Sequence, residues 1–333
     1  MFIIHSYPVA VLLCVVTMLC WGSWGNTQKL ASQTWRYEYF YWDYVIGVLL
    51  LSIVSAFTLG SFGVEGQSFL KNLGQADLSN LSSAFIGGII FNAANILLSS
   101  AIALCGMSVA FPVGIGLALV LGVLINYFGA AKGNPAFIFI GVILIVIAIL
   151  LNAFAYKKAS IGAQKVSNKG ILISIAAGVI MAFFYRFIAA SMDLNNFVQP
   201  AAGKLTPYTA VFIFALGILA SNFLFNTFVM KKPFKGEPIP VSGYFKGNIK
   251  THLIGILGGG IWCVGQSFSL IASEKAGAAI SYGLGQGATL VSALWGILIW
   301  KEFKNAPAAS NWLNFGMFIL FLTGLGFLIY AGG

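Results

Sequence analysis

The chain has 333 residues, of which 59% are hydrophobic and only 8% charged. So few polar groups cannot cover a water-soluble surface, so lipid must cover much of it and an ordinary soluble domain is excluded. A net charge of +10 would suggest nucleic acid as the partner of a soluble protein, but here Lys and Arg cluster in short loops between apolar runs, where membrane orientation and anionic lipid account for them.

Runs near the roughly 20 residues that cross a bilayer fall at about 8–26, 40–60, 84–104, 107–129, 135–156, 170–192, 207–229, 252–273, 276–299 and 310–331. The spacing predicts an all-α integral membrane protein of ten transmembrane helices, five per half. The first run has no Lys or Arg before it, unlike a secretory signal, and reads as a retained helix. It carries Thr17, Trp21, Trp24 and Gln28 on one face. Two readings stand for the tryptophans: an aromatic belt at the membrane boundary, or a stacking platform for a ring-shaped solute.

Early in the second run, Tyr41-Trp42-Asp43-Tyr44 sets a carboxylate inside a span. Intramembrane charge is expensive and tends to line pathways, so Asp43 is a candidate proton carrier; the plainer reading is an interfacial carboxylate touching Arg36. The third run places Asn92, Asn95 and Ser99 on a shared face. Each buried carboxamide offers donors and an acceptor to a neutral solute, or a hydrogen bond to a neighbouring helix.

A short connector, 157–169, separates a first half at 1–156 from a second at 170–333. The sixth run brings Arg186 after Phe183, Phe184 and Tyr185; it either snorkels to the surface or holds a solute. The Lys-rich stretch Lys231 to Lys250, like Ser61 to Ser83 and Asp193 to Thr206, reads as irregular. The eighth run aligns Trp262, Gln266 and Ser269, and the ninth aligns Tyr282, Gln286 and Thr289. Three glycines around Gln286 resemble a phosphate-cradling loop, but no strand precedes them, and close helix packing accounts for them better.

An ungapped self-match at an offset of 171 runs from Gly87–Ile125 to Gly258–Gly296, pairing Gly106 with Gly277, Gly114 with Gly285 and Asn95 with Gln266. Weak internal symmetry in an apolar chain points to two related halves around a solute site. Loops on one side hold Lys29, Arg36, Lys157, Lys158, Lys165, Lys169, Lys231, Lys232, Lys235, Lys246, Lys250, Lys301 and Lys304, against Lys71, Lys132, Lys204 and Lys275 on the other. The positive-inside bias puts the first side in the cytoplasm and both termini outside. With an odd number of spans per half, the second copy enters from the opposite side, so the two five-helix repeats are inverted.

The segment YWDYVIGVLLLSIVSAFTLGSFG at 41–63 resembles the second span of the ureide permeases. GGIIFNAANILLSSAIALCGMSV at 87–109, LINYF at 124–128, Pro207-Tyr208-Thr209-Ala210 and the run from Gln286 to Phe303 agree with it in order. AISYGLGQGATLVSALWGILIWKE, with Trp21-Gly22-Ser23, is also similar to the glucose/ribose porters. Both families belong to the drug/metabolite transporter superfamily. The resemblance implies ten helices in inverted repeats and proton-coupled uptake of a ureide, a nucleobase or a monosaccharide. Asp43, Asn95 and Gln286 match the ureide permease pattern, whereas Gln266 stands where that pattern has Asn. Plant members carry a long central loop, often with a phosphate-loop-like segment; 157–169 has no GK[ST] here, so ATP has no support.

The sequence therefore predicts a secondary active importer of the cell membrane. Trp21, Trp24, Asn92, Asn95, Arg186, Trp262, Gln266, Tyr282 and Gln286 would meet a small neutral polar solute, with Asp43 exchanging H+. No cofactor, metal or nucleic acid is expected: the four cysteines show no CxxC spacing and the chain has two histidines. A passive facilitator of the same solutes, a drug or metabolite exporter, and a membrane-embedded enzyme are the rivals. The enzyme lacks a nucleophile with its base inside the spans.

Overall fold

The computed structural model describes residues 1–159, 167–301 and 307–333. Among the described residues, ten helices are long and apolar enough to cross a membrane: α1 Tyr7–Ala31, α2 Tyr37–Phe57, α3 Leu78–Cys105, α4 Phe111–Gly129, α5 Pro135–Ala155, α6 Asn168–Ser191, α7 Pro207–Lys231, α8 Ile249–Ala276, α9 Ala278–Ile299 and α10 Ala308–Gly332. Each overlaps one expected run, and this is a multi-pass, all-helical membrane protein. In a bilayer every backbone group must be satisfied within its own segment, which helices achieve. Most of the connector, together with Lys165, Glu302, Phe303 and Lys304, lies outside the described residues.

Two stretches expected to be irregular are partly helical. Phe69–Gln75 forms a two-turn helix before α3, and Val241–Lys246 forms a 3-10 turn before α8. Both pack on neighbouring spans through side chains that a periodicity reading does not register. Asn72 donates to the Lys204 carbonyl at 3.0 Å, and Tyr39 donates its hydroxyl to the Pro240 carbonyl at 2.6 Å. α4 begins with a π-helical turn at Phe111–Ile115, containing Pro112, and α9 is interrupted at Gly287.

α3 packs against α6 and α7, α8 packs against α1 and α2, and α5 pairs with α10 at the other end of the bundle. The α2–α8 and α3–α7 crossings bring backbone onto backbone at glycines. A Cβ at Gly259 would land on the carbonyl oxygen of Tyr44, and one at Gly47 on that of Ile256. At the other crossing a Cβ at Gly88 would land on the Phe214 carbonyl, and one at Gly217 on that of Phe85. Lipid is as apolar as a side chain, so helices associate through such close packing rather than through hydrophobic burial. The reversals from α3 to α4 and from α8 to α9 each turn on a glycine with positive φ, Gly106 at 80° and Gly277 at 82°, a conformation glycine adopts without steric cost.

Gly259→Ala is expected to cost about 1–3 kcal/mol through overpacking. Gly260→Ala, beside it with open space around it, is expected to gain up to about 1 kcal/mol from helix propensity. Thermal unfolding of both variants in detergent checks the opposite signs.

Candidate functional site

The spans meet around a chamber lined by Trp21 and Trp24 of α1, Phe91 and Asn95 of α3, Phe111 of α4, Phe184 of α6, Trp262 of α8 and Gln286 of α9. Its volume is about 20 Å³, room for roughly one water, so this is a closed form. The three tryptophans are only 2–4% exposed, which places them inside the bundle and away from the lipid boundary. Trp262 is the hub. Its ring lies 5.8 Å from Trp21 and nearly parallel to it, and 4.1 Å from Phe91. Trp21 also donates its indole N–H to the Trp262 carbonyl at 3.3 Å.

The carboxamides expected together are used differently. Asn95 lines the chamber and donates to the Tyr41 hydroxyl at 3.3 Å. Asn92 is spent between helices: it accepts from Tyr41 at 2.9 Å and donates to Ser221 at 2.9 Å. Gln266 is fully buried with neither its carboxamide oxygen nor its nitrogen partnered. It stands one turn along α8 from Trp262, on the same face. An unpaired buried polar group costs about 1–3 kcal/mol, so a site that keeps one calls for an occupant or a function.

On one side of the chamber lies an open vestibule of about 540 Å³, bordered by Gln28, Trp35, Arg36, Tyr37, Met107 and Lys235. Gln28 stands between the two, donating to the Ser99 carbonyl at 2.9 Å and accepting from the Ser99 hydroxyl at 2.8 Å. The far side is sealed. Tyr185 bonds Ser269 and Ser281, and Tyr282 gives its hydroxyl to the Ala118 and Met181 carbonyls at 3.2 and 3.3 Å. Beyond them, Lys132 donates to the Glu274 carbonyl, while the Glu274 carboxylate pairs with Lys275 at 2.7 Å. Burial lowers the Lys132 pKa from its ordinary value. Arg186 lies against Gly129 at that same sealed end, away from the chamber lining.

Asp43 is fully buried but faces the α2–α8 junction. The plainer alternative, a contact with Arg36, is not what forms: Arg36 grips the buried Glu38 at 2.5 and 3.1 Å and donates to the carbonyls of Lys235 and Glu237. Asp43 instead meets His252, whose Nδ1 lies 2.8 Å from it. Sequence reasoning missed Glu38, Tyr44, His252 and Tyr244. The one available signal was that Glu38 and His252 sit at span ends on the same side as Asp43.

The comparisons with known proteins agree with a solute path through the bundle. Ureide permease 1 of Arabidopsis thaliana is 24% identical over 388 residues, covering 100% of this chain and 99% of that protein, and ureide permease 2 of the same plant is 24% identical over 396 residues with the same shares covered. A Lactococcus lactis protein named for sugar uptake is 24% identical over 318 residues, covering 94% of this chain and 95% of its own. A solved crystal structure at 17% identity superposes with a TM-score of 0.55, covering 97% of this chain and 96% of that one, a likeness of fold. The family model described as sugar transport protein matches residues 12–330. With that match running from the first span through the last, the chain belongs to the sugar transport protein family, whose members carry solutes across a membrane.

Proposed function

We propose that the protein is a secondary active, proton-coupled importer of a small neutral polar solute, a ureide or nucleobase or else a monosaccharide, across the cell membrane. It works by alternating access of two inverted repeats, 1–156 and 170–333, joined by the cytoplasmic connector 157–169. The observation that carries the reading is the chamber, where rings of Trp21, Trp24 and Trp262 face Asn95 and Gln286, with the unpartnered Gln266 beside them. Rings offer stacking to a planar or ring-shaped solute, and carboxamides offer paired donors and acceptors to its amide or hydroxyl groups.

The repeat reading is supported by the packing. Exchanging the halves carries α3–α6 onto α8–α1, α3–α7 onto α8–α2 and α4–α6 onto α9–α1, all of which are contacts in the structure. The glycine approaches follow the same exchange, with Gly88 and Gly259 at the offset of 171. A closed chamber with an open vestibule on one side and a sealed far side is a form that alternating access passes through, and solute shifts the balance of forms only through contacts that differ between them.

A passive facilitator of the same solutes is the second reading, favoured by the position of Asp43 outside the chamber lining. Proteoliposomes given labelled allantoin, uracil, D-glucose and D-ribose, with and without an imposed pH gradient, separate the two. Coupled import accumulates one probe above its external concentration only with the gradient; equilibration without accumulation means facilitation, and no uptake of any probe sinks both.

For the probe that is taken up, Gln286→Ala is expected to weaken half-saturation roughly five- to 150-fold, the loss of about 1–3 kcal/mol at a buried polar contact. Gln266→Leu is expected to raise the thermal midpoint of the solute-free protein while lowering uptake, as a site held at the expense of stability should. Loss of both stability and uptake would make Gln266 a structural residue. For orientation, Lys246→Cys should react with an impermeant maleimide only in inside-out vesicles, and Gln199→Cys only in right-side-out ones.

A further inference from the structure

Asp43 and His252 form a titratable pair that the chamber lining does not include. The Asp43 side chain is 1% exposed, its Oδ1 accepts from the Tyr244 hydroxyl at 2.6 Å, and its two oxygens lie 2.8 and 3.0 Å from His252 Nδ1. Space for it comes from Gly255, where a Cβ would land on the Asp43 Cβ. The neighbouring cation is committed elsewhere, since Arg36 is held by Glu38. From the other elements packed around the pair, Tyr39 turns its hydroxyl to Pro240, Trp35 sets its ring edge-on to the imidazole at 5.3 Å, and Lys246 and Lys250 are exposed.

Asp43 with a neutral His252 is a buried net negative charge, and one added proton cancels it; a second would leave a net positive one. With both carboxylate oxygens within 3.0 Å of Nδ1, the geometry gives one proton a place between the carboxylate and the ring. The wet member is the imidazole, 18% exposed against 1% for the carboxylate. Trp35, which touches it, also lines the vestibule. Imidazole passes protons through itself, because one nitrogen takes a proton as the other gives its own.

We propose that His252 is the proton-exchange residue of this carrier and that Asp43 and His252 together, rather than Asp43 alone, form the coupling site. A proton from vestibule water bonds to Nε2, and the Nδ1–H bond breaks as its proton goes to Asp43. The products are a neutral carboxylic acid and a neutral imidazole bearing hydrogen on Nε2; release is the reverse. The site reaches the chamber along α2 and α8. Tyr44, next to Asp43, packs on Trp24 at 4.9 Å, and its carbonyl sits under Gly259, three residues before Trp262. Tyr244 of the Lys231–Lys250 loop closes the pair from outside.

This inference rests on the proton-coupled reading above, and two measurements test it separately from that reading. The chain contains two histidines, His5 and His252, so 15N-histidine labelling gives two imidazoles and His5→Gln assigns them. The His252 Nδ1 signal should show a proton shared with a carboxylate and lose that signature in Asp43→Asn; identical spectra overturn the pair. In proteoliposomes with allantoin and D-glucose as probes, His252→Gln should cut pH-gradient-driven accumulation about tenfold or more while counterflow of the same probe stays within about twofold. A parallel fall of both, or no fall in accumulation, overturns the coupling role. If the wild-type chain moves neither of these probes nor uracil or D-ribose, the transport reading fails and the imidazole spectrum alone judges the shared proton.

Discussion

The close approach of backbones at the α2–α8 and α3–α7 crossings is the constraint on which the rest of this structure depends. Four glycines, Gly47, Gly88, Gly217 and Gly259, let carbonyls sit where side chains would otherwise stand. Once α8 lies this close to α2 at Gly259, Trp262, three residues on and nearly on the same face, is carried into the middle of the bundle against Trp21 and Phe91. A glycine at the crossing and a large ring less than one turn away, Gly259 with Trp262 and Gly88 with Phe91, thus belong to one solution. The chamber is what remains when rings of fixed shape meet around a crossing set by glycine.

The same crossings explain why the polar residues divide as they do. Asn92 lies where α3 meets α2 and α7, and its bonds to Tyr41 and Ser221 add a directional tie between helices already in contact. Asn95, nearly a turn further on, has rotated toward the chamber, and Gln28 meets Ser99 another turn along. One face of α3 therefore grades from structural tie to chamber wall to vestibule floor.

Much of the architecture was legible in the sequence because it is written in local terms. Spans show as apolar runs, and the reversals after α3 and α8 show in Gly106 and Gly277, both at positive φ. The stripe Trp21, Trp24 and Gln28 shows as helical spacing. The Asp43–His252 pair was not legible, because its members are 209 residues apart and meet only after α8 packs on α2. Nor was the commitment of Arg36 to Glu38, two residues away in sequence, since its strength depends on the burial of Glu38 and on the carbonyls that the Lys231–Lys250 loop brings to the guanidinium. Spacing likewise could not tell Asn92 from Asn95, because both fall on faces that a helix presents inward.

The chamber's small volume bears on what besides solute can cross the bundle. Its walls are interlocking rings, and the space they leave holds roughly one water. A continuous thread of water through the bundle would let protons hop along it and short-circuit the voltage that the membrane maintains. Packed rings break that thread. The packed rings thus act as an electrical insulator, so the same side chains that shape the chamber also keep the bundle from draining an energised membrane.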